Sequence, residues 1–371
     1  MASVFGAPRR RTTLTQNRKA DAEKMSKFSF DVLNRCVHPY LGTQDPDVLL
    51  GAVFGEDVAL TRIQDGILVS HLDPIVGAVK NIGWLAVHVA CNDVATSGAP
   101  PRWILLLILV PQKEDEQLLA EIMGDVSRAA SEIGVSIIGG HTGYSASLSR
   151  PLVAVTALGT MTDREPVRTK GARIGDHIFV TKGIALEGTA ILAYDFADVA
   201  QRLGLSKDEL TEARQLMAGV SIIPEALVLA EQGATAMHDV TRGGLLETLL
   251  EMAKLSDVGI RVDVKQIPIQ RIVARFAAAF QFEPLSMISS GTLVGTIPAE
   301  HVEAASRSLL EKGIHFADIG QIIHGSGVQI LKDGQITHYQ DIRCETDELA
   351  RMWELYPRNE AHPGTPGILS K

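Results

Sequence analysis

The sequence predicts a two-domain α/β (α+β) protein, and three observations carry that expectation. The chain has 371 residues, enough for two domains each with a core of its own. Short apolar runs suited to strands alternate in both halves with apolar residues at helical spacing. Between the halves lies a polar, turn-rich stretch from Thr160 to Asp176 that reads as a linker. Aromatics are only 5% of the residues, so the cores should be built from Val, Ile, Leu and Ala.

Taken in order, Val58–Leu60 and Ile67–Val69 flank Asp65-Gly66, a hairpin signal. Residues 80–97 form a predicted helix with Ile82, Leu85, Ala86, Val89 and Ala90 on one face, and 103–110 a buried strand. Leu118, Ile122, Val126, Ala129 and Ile133 recur at helical spacing and stop at Gly134. A strand at 135–138 follows, halted by Gly139-Gly140, and residues 151–159 alternate like another. In the second half strands are expected at 177–181, 235–237, 259–264, 292–297 and 327–331. Helices are expected near 187–194, 206–218, 222–232, 245–254, 268–280 and 298–312. The domain reading is therefore a basic disordered tail over 1–27, an N-terminal domain over 28–160 and a C-terminal domain over 170–345. Residues 346–371 complete it as a helix and flexible tail, Gly- and Pro-rich from residue 360.

Charge narrows the partners. The net charge is −9, yet residues 1–27 hold seven Lys and Arg against Asp21 and Glu23. That leader is near +5 and the remainder near −14, an acidic body unsuited to nucleic acid but open to a nucleotide whose phosphates a cation screens. The strongest apolar run, Trp103–Val110, is far too short to span a bilayer, and no apolar block follows the basic leader to make a secretory signal. Cys36, Cys91 and Cys344 are far apart and form no paired motif. A reduced, cytoplasmic protein without a disulfide frame or zinc site is expected.

Polar spots cluster where predicted elements end. If Asp65 and Gly66 are the hairpin loop, Val58 faces Asp73 and Asp57 faces Pro74, and the two acids share one open end. Diagonal partners of that kind lie within about 8 Å, so Asp57 and Asp73 either serve one cation or merely face water. Asn92-Asp93 stands near the C-terminus of helix 80–97, where the helix dipole disfavours a bare carboxylate; a cation or a turn cap accounts for it. Gly139-Gly140-His141-Thr142 sits at a strand exit, either as a phosphate or metal contact or as a tight turn. His238-Asp239-Val-Thr-Arg242-Gly243-Gly244 precedes the helix at 245. It can cradle an anion on free N–H groups and Arg242, with Asp239 as cation ligand or base, or can simply cap the helix. His88 is a packed or exposed residue rather than a ligand. No Gly-Lys pair, GxGxxG, HExxH or GxSxG occurs, which excludes a P-loop, a dinucleotide fingerprint and two hydrolase classes.

Together these segments resemble the aminoimidazole-ribonucleotide synthetase (PurM-like) superfamily of ATP-using enzymes, over roughly residues 30–345. The pieces are Gly55-Glu-Asp57, Leu72-Asp73-Pro74, Ile82-Gly-Trp-Leu-Ala86, Asn92-Asp93 with Ser97-Gly-Ala-Pro100, Gly139–Thr142 and Asp239-Val-Thr-Arg-Gly-Gly244. The superfamily includes a hydrogenase maturation factor that dehydrates a carbamoyl group, selenophosphate synthetase and thiamine-monophosphate kinase. The resemblance implies a two-domain protomer whose N-terminal domains, each a mixed sheet with helices, pair into a homodimer with ATP in the clefts. It implies that Asp57, Asp73 and Asp93 hold magnesium on the phosphates. Asn92, Gly139, Gly140, Thr142, Arg242, Gly243 and Gly244 would then line the nucleotide, with Asp239 and His141 as catalytic groups.

The Asp-Val-Thr-Arg-Gly-Gly run looks nearest to the hydrogenase maturation factor, with two departures. That factor has Asp where His141 stands, although selenophosphate synthetase shows a similar Gly-Gly-His-Thr. Its carbamoyl-carrying cysteine closes the chain after Pro-Arg, whereas Cys344 here lies 27 residues before the end. Cys36 has no lysine close after it to match the reactive arrangement of selenophosphate synthetase. The expected activity is ATP- and Mg2+-dependent phosphorylation of an acceptor oxygen on a small molecule or protein terminus. A kinase of the thiamine-monophosphate type and a non-catalytic nucleotide-binding module are the alternatives; ADP release with candidate acceptors separates the last.

Overall fold

The computed structural model describes residues 30–43, 45–75, 80–342 and 347–356. The basic leader, the Gly- and Pro-rich tail and Cys344 lie outside the described residues. The chain opens with α1 (Phe30–Cys36), β1 (Val48–Leu50) and the hairpin of β2 (Ala59–Ile63) and β3 (Gly66–Ile75). There follow α2 (Ile82–Thr96), β4 (Pro101–Val110), α3 (Glu116–Ile133), β5 (Ser136–Tyr144) and β6 (Leu152–Met161). These strands make one sheet in the order β1-β2-β3-β6-β4-β5, antiparallel except where α3 carries the chain from β4 to a parallel β5.

The second sheet opens with β7 (His177–Thr181), then α4 (Leu186–Asp195), α5 (Ala197–Arg202), α6 (Lys207–Gln215) and α7 (Ile223–Glu231). It continues with β8 (Ala236–Asp239), α8 (Gly244–Ser256), β9 (Gly259–Asp263), α9 (Arg271–Phe280) and β10 (Leu293–Ile297). It closes with α10 (Val302–Leu310), β11 (Phe316–Ile323), β12 (Gly327–Lys332), β13 (Gln335–Tyr339) and α11 (Glu348–Leu355). The strand order is β13-β12-β9-β11-β7-β10-β8. Among the described residues no single helix is long and apolar enough to cross a membrane; the bent pair 207–219 and 223–231 reaches that composition.

Two expectations need correction. The hairpin loop is Gln64-Asp65, with Ile63 opposite Gly66 and Ala59 opposite Ser70, a register two residues away from the predicted one. Gly66 is spent elsewhere: a Cβ there would stand 2.4 Å from the carbonyl oxygen of Met161, so its bareness lets the end of β6 close on β3. Nor does Gly139-Gly140 stop a strand, since β5 runs on to Tyr144. A Cβ on Gly140 would meet the Leu106 carbonyl oxygen at 2.1 Å, so the glycine admits β4 alongside.

The two halves also share one core, although the second sheet keeps a cluster of its own around Ile178, Leu249, Ile260 and Val328. Every residue of α2 is buried. One side of the helix packs on β3, β6 and α3, and another meets α7 and β8. The apolar cluster that begins at Leu50 and includes Leu85, Val89 and Val155 continues without a break to Leu192, Phe196, Phe276 and Met352. Across the first sheet the other face is uncovered: Leu105 is exposed, Trp103, Leu107 and Leu109 half-exposed, and Leu72 on β3 is 62% exposed.

Candidate active site

The site forms where four chain ends meet beside α2. Strand β8 lies at the edge of the second sheet against α2, and its C-terminal pair His238-Asp239 is fully buried there. Asp57, just before β2, reaches the same point: its Oδ1 lies 3.0 Å from His238 Nε2. Glu251, two turns into α8, brings Oε2 to 3.3 Å from the same nitrogen. His238 Nδ1 donates to its neighbour's carbonyl oxygen on Asp239 at 2.6 Å. Ligand atoms of Asp57, His238 and Asp239 lie within 4.8 Å of one another.

A second histidine ties in the end of α2. His71 on β3 donates from Nδ1 to the carbonyl oxygen of Asp57 and places Nε2 3.3 Å from Asp93 Oδ2. Asp73 leaves the same face of β3 two residues on, half-buried and with a polar partner of its own. The structure thus brings Asp57 and Asp93 to one imidazole, with Asp73 next along the strand.

Charge in this pocket is badly balanced. Asp57, Asp239 and Glu251 surround the one imidazole of His238, both of whose nitrogens face acceptors. Those carboxylates hold His238 well above the usual imidazole range against the opposing pull of burial. Asp57 is pushed up to about 8, chiefly by burial, with Asp239 and Glu251 adding repulsion and His238 opposing it. Neither carboxylate oxygen of Asp239 accepts a hydrogen bond; His238 Nδ1, at 3.5 Å from Oδ1, is too far for a good one. Asp57 Oδ2 is also buried without a hydrogen-bond partner. Oxygen atoms orphaned together in an acid-rich interior suit a divalent cation. Farther in, Glu187 accepts from the Ser290 N–H at 3.1 Å and burial pushes it up to about 7, with Asp239 and Asp347 adding to the rise.

Other expected residues are placed differently. Asn92 is fully buried and both ends of its amide are engaged: Nδ2 donates to Val220 O at 2.8 Å and Oδ1 accepts from Ile222 N at 2.9 Å. It clasps α2 to the second half, buried away from any surface a nucleotide would reach. Gly243 N–H donates to Asp347 Oδ2 at 3.2 Å, and the Glu247 carboxylate lies against Gly243. Acids thus crowd the start of α8, where Gly244 N–H is already bonded to Thr241 O, although no side chain caps the helix. Arg242 beside it is half-buried.

Gly139, Gly140, His141 and Thr142 are exposed on the edge strand β5. His141 pairs with Leu107, Leu107 with Ala154, and Ala154 with Pro74. Three strand spacings, about 14 Å, thus separate it from the Asp73 neighbourhood within one protomer. His88 is packed in the core, its ring 4.0 Å from that of Trp84.

Sequence reasoning left His71, Glu251 and Glu187 unmarked and gave His238 no role. A signal existed only for His238, adjacent to Asp239. The others stand inside ordinary strand and helix patterns.

Comparison with known proteins follows this geometry. The family model described as AIR synthase related protein, N-terminal domain, matches residues 55–161, and its C-terminal counterpart matches 173–333. The carbamoyl dehydratase HypE of Rhizobium leguminosarum bv. viciae is 28% identical over 266 residues, covering 70% of this chain and 72% of that protein. The selenide, water dikinase of Treponema denticola is 27% identical over 291 residues, covering 77% and 78%. Among solved structures, hydrogenase maturation protein HypE in complex with ATP superposes with a TM-score of 0.64 at 24% identity, covering 81% of this chain and 91% of that one. Thiamine-monophosphate kinase from Stenotrophomonas maltophilia K279a does so with a TM-score of 0.62 at 25% identity, covering 84% and 99%.

Proposed function

Since the chain belongs to the AIR synthase related protein family, we propose that it is an ATP-dependent enzyme that phosphorylates an acceptor oxygen with the help of magnesium. The observation that carries this reading is the set of buried, unpartnered carboxylate oxygens on Asp57 and Asp239 beside His238. Such oxygens are costly to bury unless a cation or a proton meets them. Asp57 and Asp239 would hold the ion, with Asp93 and Asp73 flanking it toward the phosphates. Magnesium, when bound, neutralises the charge of the phosphates as the terminal P–O bond breaks.

The protein's own groups do the rest. The acceptor oxygen bonds to the terminal phosphorus as the bond to the ADP oxygen breaks, and the Asp239 oxygen not bound to the ion would take the acceptor's proton. His71 fixes the Asp93 carboxylate and the Asp57 backbone together, so the acids are oriented before the nucleotide arrives. The uncovered apolar face of the first sheet supports a homodimer, as large exposed apolar surfaces mark association sites. In such a dimer Gly139, Gly140, His141 and Thr142 serve the nucleotide across the interface.

The test is magnesium-dependent ATP binding followed by calorimetry in the wild type, Asp93→Ala and Asp57→Asn. At least tenfold weaker binding in the variants is expected. Equal affinity in all three removes the assignment of the acids. ADP release in the presence of candidate acceptors, with products analysed for stable phosphate esters, distinguishes an activating enzyme from a kinase. Tight binding without release under every acceptor leaves a nucleotide-binding module.

A further inference from the structure

At the other end of α2 from Asp93, nine residues and so about 13 Å along its axis, a cavity opens between the two halves at Trp84. It is a wide, open cavity of about 530 Å³ at an interdomain boundary, where small-molecule sites concentrate. Trp84 comes from α2, Arg128 from α3, Tyr194 from α4 and Arg214 from α6, so both halves contribute an aromatic ring and a guanidinium.

The charges are not equivalent. Glu132 is already engaged, accepting from the Trp84 indole N–H at 2.7 Å and from His88 at 3.3 Å, with Arg128 Nε at 3.9 Å. Arg128 also holds Asp125 at 2.9 Å. Arg214 lies with its guanidinium 5.3 Å from the Tyr194 ring centroid and donates only Nε, to Ala193 O at 3.0 Å; no carboxylate meets its terminal nitrogens among the described residues. The cavity wall therefore carries a half-exposed cation without a carboxylate partner among the described residues, beside two aromatic rings. The indole cannot swing away, because Glu132 holds its N–H and the His88 ring backs it at 4.0 Å. Asn81, which also lines the cavity, begins α2 without a side-chain cap.

We propose that this cavity binds an organic anion with a flat ring, the ring lying against Tyr194 and the exposed edge of Trp84 and its carboxylate or phosphate meeting Arg214. Such a ligand spans both halves of the protein at a place separate from the acid-lined site. A cation is disfavoured by Arg214, and a purely apolar ligand leaves that guanidinium desolvated.

Phenyl phosphate and benzoate are the probes, titrated into the full-length protein by calorimetry without nucleotide. Inorganic phosphate serves as the control for charge alone. At least one aryl probe should bind saturably with a single site and at least tenfold more tightly than inorganic phosphate; which of the two does so tells a phosphate ligand from a carboxylate one. Arg214→Gln and, separately, Arg128→Gln should weaken it, the former at least tenfold, while Asp93→Asn leaves it unchanged. The idea is overturned if neither aryl probe saturates at millimolar concentration, or if Arg214→Gln binds as the wild type does. Loss of binding in Asp93→Asn, or displacement by ATP, equally overturns it by locating the anion in the acid-lined site. None of these readouts depends on ATP turnover, so a failed nucleotide assay leaves the test intact.

Discussion

Replacing Asn92 by alanine should destabilise the fold by about 3 kcal/mol while touching nothing that a nucleotide would contact. The side chain is fully buried and makes two interdomain hydrogen bonds, to Val220 O at 2.8 Å and from Ile222 N at 2.9 Å. Alanine leaves one backbone acceptor and one backbone donor desolvated and unmet, at roughly 1–3 kcal/mol each, so a loss of about 2–6 kcal/mol brackets the expectation. Urea unfolding followed by circular dichroism measures it, with the slope checked for an unchanged transition. Nucleotide affinity measured well below the unfolding transition should stay within about threefold of wild type. A destabilisation under about 1 kcal/mol, combined with a large loss of ATP affinity, would refute the clasp and restore Asn92 to the nucleotide site.

Three further outcomes are expected. The Glu56 side chain is buried and accepts from Arg168 Nη2 at 2.8 Å and from Thr169 N at 3.2 Å, pinning the linker between the halves. Glu56→Ala should therefore lower stability by about 2 kcal/mol in thermal melts, whereas Arg168→Ala at the half-exposed end should cost less. Asp57 binds a proton in the folded protein up to about pH 8 but releases it near 4 when unfolded. In the absence of divalent ions its contribution is thus complete below the unfolded value and fades as pH rises from about 4 to 8, by at most about 1.4 kcal/mol per pH unit. The raised His238 acts in the same sense. A melting temperature that rises over pH 5 to 8 without metal, but not in Asp57→Asn, contradicts this. Finally, Leu72→Lys on the uncovered face should shift the protein from dimer to monomer in sedimentation velocity without changing its circular dichroism spectrum, and an unshifted sedimentation coefficient tells against pairing through that face.

Much of the fold was legible because periodicity reports burial directly. The helices at α3 and α8, and the strands at β4, β7 and β10, fall where their apolar spacing put them. Strand β11 escaped, although it sits between β9 and β7 in the middle of the second sheet. Its pairing shifts between Asp318 and Gly320, so the alternation that reveals a strand is interrupted by a bulge. The hairpin register failed for a related reason: Gly66 satisfies a tertiary contact, and turn chemistry alone assigned it to the loop. In the site, Asp57, Asp93 and Asp239 could be singled out because acids gather at the ends of several predicted elements, Asp93 at a helix C-terminus where the dipole disfavours it. Asn92 could not be understood, since its partners Val220 and Ile222 lie 128 and 130 residues away. His71 was invisible, because one histidine in an alternating strand carries no local mark.

A helix that serves as an inner wall for two sheets at once limits how the molecule can move. Hinge closure needs a seam that opens without tearing apolar contacts, and away from the cavity at Trp84 α2 is packed on both sides. Traffic into the acid-lined centre must then be governed by the short segments at the tips of that rod. Splitting the gene between the halves should yield two sticky fragments that recover their shape only when mixed.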